Sequence, residues 1–443
     1  MPNLAIGTGS GLSSRDISSI QSNVPAHPSR PVAIYIHFPY CLSKCPYCDF
    51  NSHVRTDLDF IAVGTGREKP LAAARLTEKI WQESVILSLN RQMKRLGYDI
   101  DSYKNFTIGS IFFGGGTPSL IDPNCVAAIL ARVKSQFPLS ETCEITLEAN
   151  PNSAESQRFQ QFRQAGINRL SLGVQSLNEA ALRFLGRGHN VAEAKRAIAA
   201  AADNFERFSF DLIYARPEQS ITDWRRELTE ALQFGASHLS LYQLTIEENT
   251  KFFQAHARGD FKIPEDNTAG KFYEITQHIM EQAGLPAYEI SNHARPGHES
   301  QHNLCYWRYG DYLGLGPGAH GRMTDQIGQK YALTQAKLPE TWQKMIAAGG
   351  DGLSDVTELS TQDRFAESLM MGLRLTEGIA LTLLSKEGGL STEQIENWLE
   401  SKKCQNLIDG NFIEITGDRL TATASGRQRL NAVLRELLAV EIC

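Results

Sequence analysis

The sequence has no long hydrophobic run. Nothing in it approaches the ~20 apolar residues that cross a bilayer, so no integral membrane segment is expected. Its N-terminus lacks a basic region followed by an apolar stretch, which argues against a secretory signal. Neither sign of charge dominates: 44 Lys and Arg against 50 Asp and Glu give a formal net charge of -6. That balance argues against nucleic-acid binding and against a basic membrane-surface protein. Eight cysteines in 443 residues are too few for a disulfide scaffold. A cytoplasmic protein is expected. At ~100–200 residues per domain, it should have two or three domains.

What is present is an alternating pattern. Residues 1–30, rich in Ser, Gly, Asn and Pro, show no apolar period and read as a disordered N-terminal tail. Strand-like runs follow at residues 33–38, 110–114, 144–149, 169–174, 207–214 and 238–244. Segments with helical spacing lie between most of them: 81–96, 126–137, 153–165, 178–185, 191–202 and 221–234. Residues 254–284 are again mostly helical, and 57–80 look like extra sequence ahead of a helix. About six β-α repeats predict a parallel α/β sheet, with a full or partial barrel favoured over a flat one. Residues 31–325 form this barrel region. Gly, Asp and Gln accumulate through 326–355, which reads as a linker. Residues 356–443 then change to helices and a hairpin turning at 416–418, a mostly helical, winged-helix-like module. With an acidic balance, it suits packing or covering better than reading DNA.

Cys41, Cys45 and Cys48 form CxxxCxxC just after the first strand. Three thiolates so close suit one metal centre. Zinc usually takes four ligands, and no second Cys pair exists, although His37 or His53 could complete a set. A 4Fe–4S cluster held by three cysteines keeps one iron open, as a reacting metal requires. Coincidental thiols are the third reading. Tyr47 could cover the centre. The other polar signals sit at strand ends, where parallel α/β folds bind ligands. GGGTP at 114–118 follows the second strand, Glu148 closes the third, Gln175 ends the fourth, and Asp211 lies in the fifth. GGGTP is not a P-loop, since it has no Lys, but its glycines would let backbone approach a small charged group. Glu148 suits an ammonium, while Asp211 and Gln175 suit hydroxyls. Alone, each could equally be a loop or cap residue.

YIHFPYCLSKCPYCDF, FFGGGTPS, LEANP, SLGVQS, LGRGHN and SFDLIYARP resemble the radical S-adenosylmethionine proteins related to oxygen-independent coproporphyrinogen III oxidase. The resemblance covers about residues 32–322. It implies a partial (β/α)6 barrel, a 4Fe–4S cluster on Cys41, Cys45 and Cys48, and S-adenosylmethionine chelating the open iron. It places Tyr35 and Tyr47 around the cosubstrate. Gly115, Gly116 and Thr117 would meet its methionine end, and Glu148 its amino group. Gln175, Arg187 and Asp211 would hold carboxylate or ribose groups. Leu244 and the GLGPGAHG stretch at 314–321 would border the adenine. Residues 57–80 have no counterpart in this reading.

Two branches of that family differ in ways visible here. The oxidase branch carries CxxxCxxCxC, and its fourth cysteine is Phe50 in this chain. The heme-chaperone branch carries HNxxYW, intact here as HNLCYW from His302 to Trp307. Imidazole is a common heme ligand, and Tyr and Trp can line a porphyrin pocket. The resemblance therefore implies heme bound through His302, with His293, His298 and Cys305 as rivals. The alternative for His302 is a structural loop residue. As a chaperone the protein would deliver heme to apo-hemoproteins such as respiratory enzymes and draw electrons from a reductant such as flavodoxin or ferredoxin. It would lack coproporphyrinogen III oxidase activity. The enzyme alternative is radical oxidative decarboxylation of coproporphyrinogen III; a radical enzyme on an unrelated substrate is a third. Arg216 stands where an apolar residue is expected after SFDLIY, which questions ligand packing there.

Overall fold

The computed structural model describes residues 30–54 and 71–440. Six strands follow one another: β1 (Arg30–Phe38), β2 (Phe106–Gly115), β3 (Leu139–Ala149), β4 (Arg169–Gln175), β5 (Arg207–Tyr214) and β6 (His238–Gln243). Each pairs in parallel with the next. β7 (Asn292–Ala294) adds antiparallel to β6. β8 (Asp311–Leu315) returns to the far side of β1, again parallel. The order β8-β1-β2-β3-β4-β5-β6 does not close on itself, which makes a partial barrel. The tail at 1–30 and most of the stretch at 57–80 lie outside the described residues; residues 71–95 are helical.

The strands alternate with the apolar set outward. Ile111, Phe113, Ile145, Leu147, Leu170, Leu172, Phe208, Phe210, Leu239 and Leu241 are buried in the large core. That core is shared with the covering helices α1 (Leu71–Arg95), α2 (Pro123–Gln136), α3 (Phe159–Ala165), α4 (Val191–Asn204), α5 (Ile221–Leu232) and α6 (Asp266–Gln282). The opposite set, including Ser110, Glu148, Ser171 and Asp211, points into the barrel. Period two thus separates a greasy outside from a polar inside. Start signals set the helices. Asp122 caps α2 ahead of Pro123, Asn190 and Glu193 form a capping box on α4, and Ser220 caps α5. The helix expected over 153–165 breaks into Ser153–Ser156 and α3.

Residues 326–355 are not a linker. They form β10 (Lys330–Gln335), the helix Pro339–Ala347 and the start of β11 (Leu353–Glu358). With β9 (His320–Thr324) these strands extend the main sheet antiparallel from β8. The polar composition misled: alternation puts Leu333 inside, and Trp342 and Ile346 of the helix join the barrel core. GLGPGAHG is likewise not one strand. It is the end of β8, a turn, and the start of β9.

The C-terminal module begins with the helix Thr361–Gly372 and has its own core around Leu369, Leu373, Leu384, Trp398 and Leu420. Its hairpin, Ile413–Thr416 with Arg419–Ala422, turns through Gly417 at φ 59° and pairs with Ile379–Ala380. The expected last helix is split, Ala424–Gln428 then Leu430–Leu438. No helix among the described residues is long and apolar enough to cross a membrane.

Candidate functional site

A cavity of about 290 Å³ opens at the C-terminal ends of the parallel strands. Its wall includes Cys41, Cys45, Tyr47, Cys48, Gly115, Gly116, Thr117, Glu148, Gln175, Arg187 and Asp211, so eleven sequence-predicted residues converge there. The wall also holds Asn150, Ser171 and Gly173, which sequence reasoning passed over. The signal was present: Asn150 lies two residues past Glu148, and Ser171 and Gly173 alternate into Gln175.

The cysteine loop is pinned from several sides. Tyr40–Cys41 pairs with His53–Val54 in a short parallel ladder. Gly116 N–H donates to the Phe38 carbonyl at 2.7 Å, and Thr117 N–H to that of Tyr40 at 2.9 Å. Gly186, at φ 65°, lets the 185–190 turn close on the loop, since a Cβ there would lie 2.6 Å from Pro46. The three thiols have separate neighbours. The Thr117 hydroxyl reaches Cys41 at 3.4 Å, Arg187 Nη1 reaches Cys45 at 3.2 Å, and Ser52 lies 3.8 Å from Cys48. Among the described residues no three His, Cys, Asp or Glu side chains are grouped as ligands of one ion would be. Three thiols lining one cavity mouth would suit a polynuclear centre, in which each iron takes one thiolate. His37, a rival zinc ligand, spends both ring nitrogens on the Tyr35 hydroxyl (3.0 Å) and the Asn51 carbonyl (2.9 Å). Burial also pulls its pKa down to about 4.

Behind the cysteines the cavity carries uncancelled charge. Glu148 accepts the Gly115 N–H at 3.1 Å. Burial, then repulsion from Asp211, pushes its pKa up to about 8. Burial raises Asp211 to about 6, opposed by the Ser240 hydroxyl and by Arg169 and Arg187. Arg187 donates through Nη2 to Asn150 Oδ1 and the Gly173 carbonyl, both at 2.7 Å, while its Nε is buried without a partner. Asn150 in turn donates to Thr117 at 3.2 Å, joining the arginine to the glycine loop. Gln175 sits at φ 70°, beside a register shift between β4 and β5 that turns its side chain to the cavity. Glu148, Asp211 and Arg187, with Glu155 and Lys44 also in the wall, therefore face a space that fits a small zwitterion carrying extra positive charge.

Several expectations need correction. The glycine loop does line the cavity, with its amides already spent: those of Gly115, Gly116 and Thr117 go to Glu148, Phe38 and Tyr40. Its glycines serve close packing, because a Cβ on Gly116 would meet the Tyr40 backbone at 2.5 Å. Tyr35 is outside the cavity wall, stacked on Phe112 and tied to His37. Leu244 is also outside it, in a small apolar cluster with Leu185, Ile213 and Phe252 against which Tyr47 packs. Arg216 does not disturb ligand packing. It is buried against Glu227 of α5 at 2.6 Å and bonds Ser176 at 2.9 Å, bracing the loops after β4 and β5.

His302 is the largest departure. It lies on α7 (Gln301–Trp307), which plugs the opposite end of the barrel, and is 1% exposed. Its Nδ1 lies 2.9 Å from the Ser110 hydroxyl and its Nε2 2.5 Å from that of Tyr306. Its ring stacks on Phe112 at 5.0 Å, and burial drags its pKa down to about 3. Both of its ring nitrogens are thus taken by hydroxyls. Of its rivals, His293 is fully buried, and burial raises the Cys305 thiol to about 12.

Comparison with known proteins fits this architecture. The Radical SAM superfamily profile matches residues 35–231, and the HemN C-terminal domain profile matches residues 359–429. Radical S-adenosyl methionine domain-containing protein 1, mitochondrial, of Danio rerio is 35% identical over 437 residues, covering 97% of this chain and 92% of the relative. The heme chaperone HemW of Haemophilus influenzae is 34% identical over 412 residues, covering 93% of this chain and 99% of that protein. Among solved structures, the Escherichia coli coproporphyrinogen III oxidase HemN, described as a radical SAM enzyme, superposes with a TM-score of 0.72 at 18% identity, over 94% of this chain and 92% of that one.

Proposed function

The chain belongs to the radical S-adenosylmethionine superfamily, in the HemN-like family that includes the heme chaperone HemW, and from that premise we propose that it is itself a heme chaperone. It binds heme and passes it to apo-hemoproteins such as respiratory enzymes in the cytoplasm. The observation that carries this reading is the pairing of an intact HNLCYW with Phe50 at the position of the oxidase's extra cysteine.

Cys41, Cys45 and Cys48 would hold a 4Fe–4S cluster, and Glu148, Asp211, Gln175 and Arg187 would hold S-adenosylmethionine. Bound there, the cluster supplies one-electron reduction, with electrons from a flavodoxin or ferredoxin. The residues' own task is charge matching. Glu148 offers a carboxylate to the cosubstrate's ammonium, Asp211 and Gln175 accept from its ribose hydroxyls, and Arg187 offers a guanidinium to its carboxylate. Burial strengthens these contacts, because a carboxylate shielded from water gains more from a cation or a hydroxyl donor than one in solvent.

The test is heme transfer. Anaerobically reconstituted protein is loaded with heme and mixed with an apo-hemoprotein, and the Soret band is followed. Wild type should hand heme over. His302→Ala should lower heme occupancy with iron and sulfide content unchanged. Failure of wild type to bind or release heme would contradict the reading.

A further inference from the structure

Asn150, in the cavity wall, touches two groups that reach the cysteines. Its own backbone is held. Its N–H donates to Glu155 Oε2 at 2.8 Å, and Pro151 after it disfavours helical backbone at Asn150. The side chain lies between Arg187 and Thr117. A guanidinium can only donate, so Asn150 must face it with Oδ1, which Arg187 Nη2 reaches at 2.7 Å. The amide nitrogen then faces Thr117, whose Oγ1 accepts at 3.2 Å. Having accepted there, the Thr117 hydroxyl turns its one proton to Cys41 Sγ at 3.4 Å. On the other branch, Arg187 Nη2 also donates to the Gly173 carbonyl at 2.7 Å. Two bonds on Nη2 fix the plane of the guanidinium and leave Nη1 on Cys45 Sγ at 3.2 Å. Gly173 gives the room, since a Cβ there would lie 3.3 Å from Nη2.

We propose that Asn150 is a positioning residue for the cluster: it aims one donor at each of two thiolates, Arg187 at Cys45 and Thr117 at Cys41, and so sets the cluster's reduction potential. This rests on the cluster reading above, and asks of Asn150 no contact with iron or cosubstrate. Reduction adds one negative charge, which the cysteine sulfurs share. An N–H or O–H pointed at a sulfur stabilises that charge, and a guanidinium adds its own positive charge, so both donors raise the potential. A donor held by a single bond loses its aim; one held by a second partner keeps it. Without the Asn150 amide, the Thr117 hydroxyl is free to rotate away from Cys41, and Arg187 Nη2 keeps only the Gly173 carbonyl. One side chain thus governs the surroundings of two of the three thiolates.

Potentiometric titration of the full-length, anaerobically reconstituted chain tests this, read by the EPR signal of the reduced cluster. It is run without S-adenosylmethionine, so that Arg187's contact with the cosubstrate does not enter, and iron and sulfide are counted for each variant. Asn150→Leu should disfavour reduction about tenfold, a shift of ~59 mV to more negative potential for one electron. Thr117→Val should shift it part of the way, and Thr117→Ser, which keeps the hydroxyl, should return the wild-type value. The double variant of Asn150→Leu with Thr117→Val should fall short of the sum of the two, because both act through one hydroxyl. A merely structural role would lower the amount of cluster and leave the potential of what is loaded unchanged. A wild-type potential in loaded Asn150→Leu would therefore overturn the proposal and leave the cluster assignment standing, as would full additivity in the double variant. If Asn150→Leu does not load, Asn150→Ala, which adds no bulk, is read in its place; failure of both to load would overturn the proposal, since Asn150 would then serve assembly. A wild type that takes up no 4Fe–4S cluster would overturn the cluster assignment and the proposal together.

Discussion

The two ends of the barrel differ in one physical respect. The mouth holds groups whose needs are unmet: Glu148 and Asp211 raised together, and Arg187 with a buried, unpartnered Nε. The floor holds charges that face opposite charges: Glu144 lies 3.1 Å from Arg207 and 3.7 Å from Arg169, although its Oε2 makes no hydrogen bond, and His302 is bonded at both nitrogens. Both ends carry strong motifs. The mouth opens as a cavity lined by such groups, and the floor is packed. The lesson is that a binding motif and an open binding site are separate properties.

The comparison is broken most severely by removing the thiols. Replacing Cys41, Cys45 and Cys48 together by Ala should abolish cluster incorporation while leaving the floor and the far-UV spectrum intact. Mössbauer spectroscopy after anaerobic reconstitution reads this, and a surviving 4Fe–4S signal would refute the assignment. Next in size is the floor. Glu144→Ala leaves Arg169 and Arg207 without their buried partner and should cost about 3–5 kcal/mol of stability. Urea unfolding measures it; a loss under 1 kcal/mol would mean that the floor is not held by its ion pairs. At the mouth, Asp211→Ala should weaken S-adenosylmethionine binding by about 1.5–3 kcal/mol, as expected for a lost charged acceptor, with little effect on folding. Calorimetry on reconstituted protein decides, and unchanged affinity would place the ligand elsewhere.

The smallest effect is the pH dependence at the mouth. The cosubstrate brings an ammonium to Glu148 and hydroxyl donors to Asp211, so it binds their ionised forms. With Glu148 near 8 and Asp211 near 6, binding should release protons and weaken as pH falls from 8 toward 6. The limit is ~1.4 kcal/mol per pH unit for each proton released. Calorimetry in buffers of different ionisation enthalpy counts those protons; a value of zero at pH 7 would show that the pair is already ionised.

Much of this was legible in the residues. Strand alternation located β1 to β6, and polar residues recurring at every second position marked the inner wall. The cavity residues were found because they sit at strand ends. Other features lie outside what a linear motif records. HNLCYW does not say which side of α7 faces the barrel, or that Ser110, far away in sequence, waits for its imidazole. Arg216 looked misplaced because its partner, Glu227, is on the next helix. Tyr35 points into the barrel but sits below the cavity against Phe112 and His302, and Leu244, one residue past β6, joins a separate apolar cluster. Residues 326–355 hid two strands behind polar composition, because these antiparallel strands at the margin of the sheet bury only one face.

The central claim is that this chain handles heme and does not make its precursor. Reconstituted wild-type protein, incubated anaerobically with reductant and S-adenosylmethionine, is offered heme in one vessel and coproporphyrinogen III in another. The account predicts a stable, His302-dependent heme complex and no protoporphyrinogen IX. Conversion of coproporphyrinogen III to protoporphyrinogen IX would contradict it and install the oxidase reading in its place.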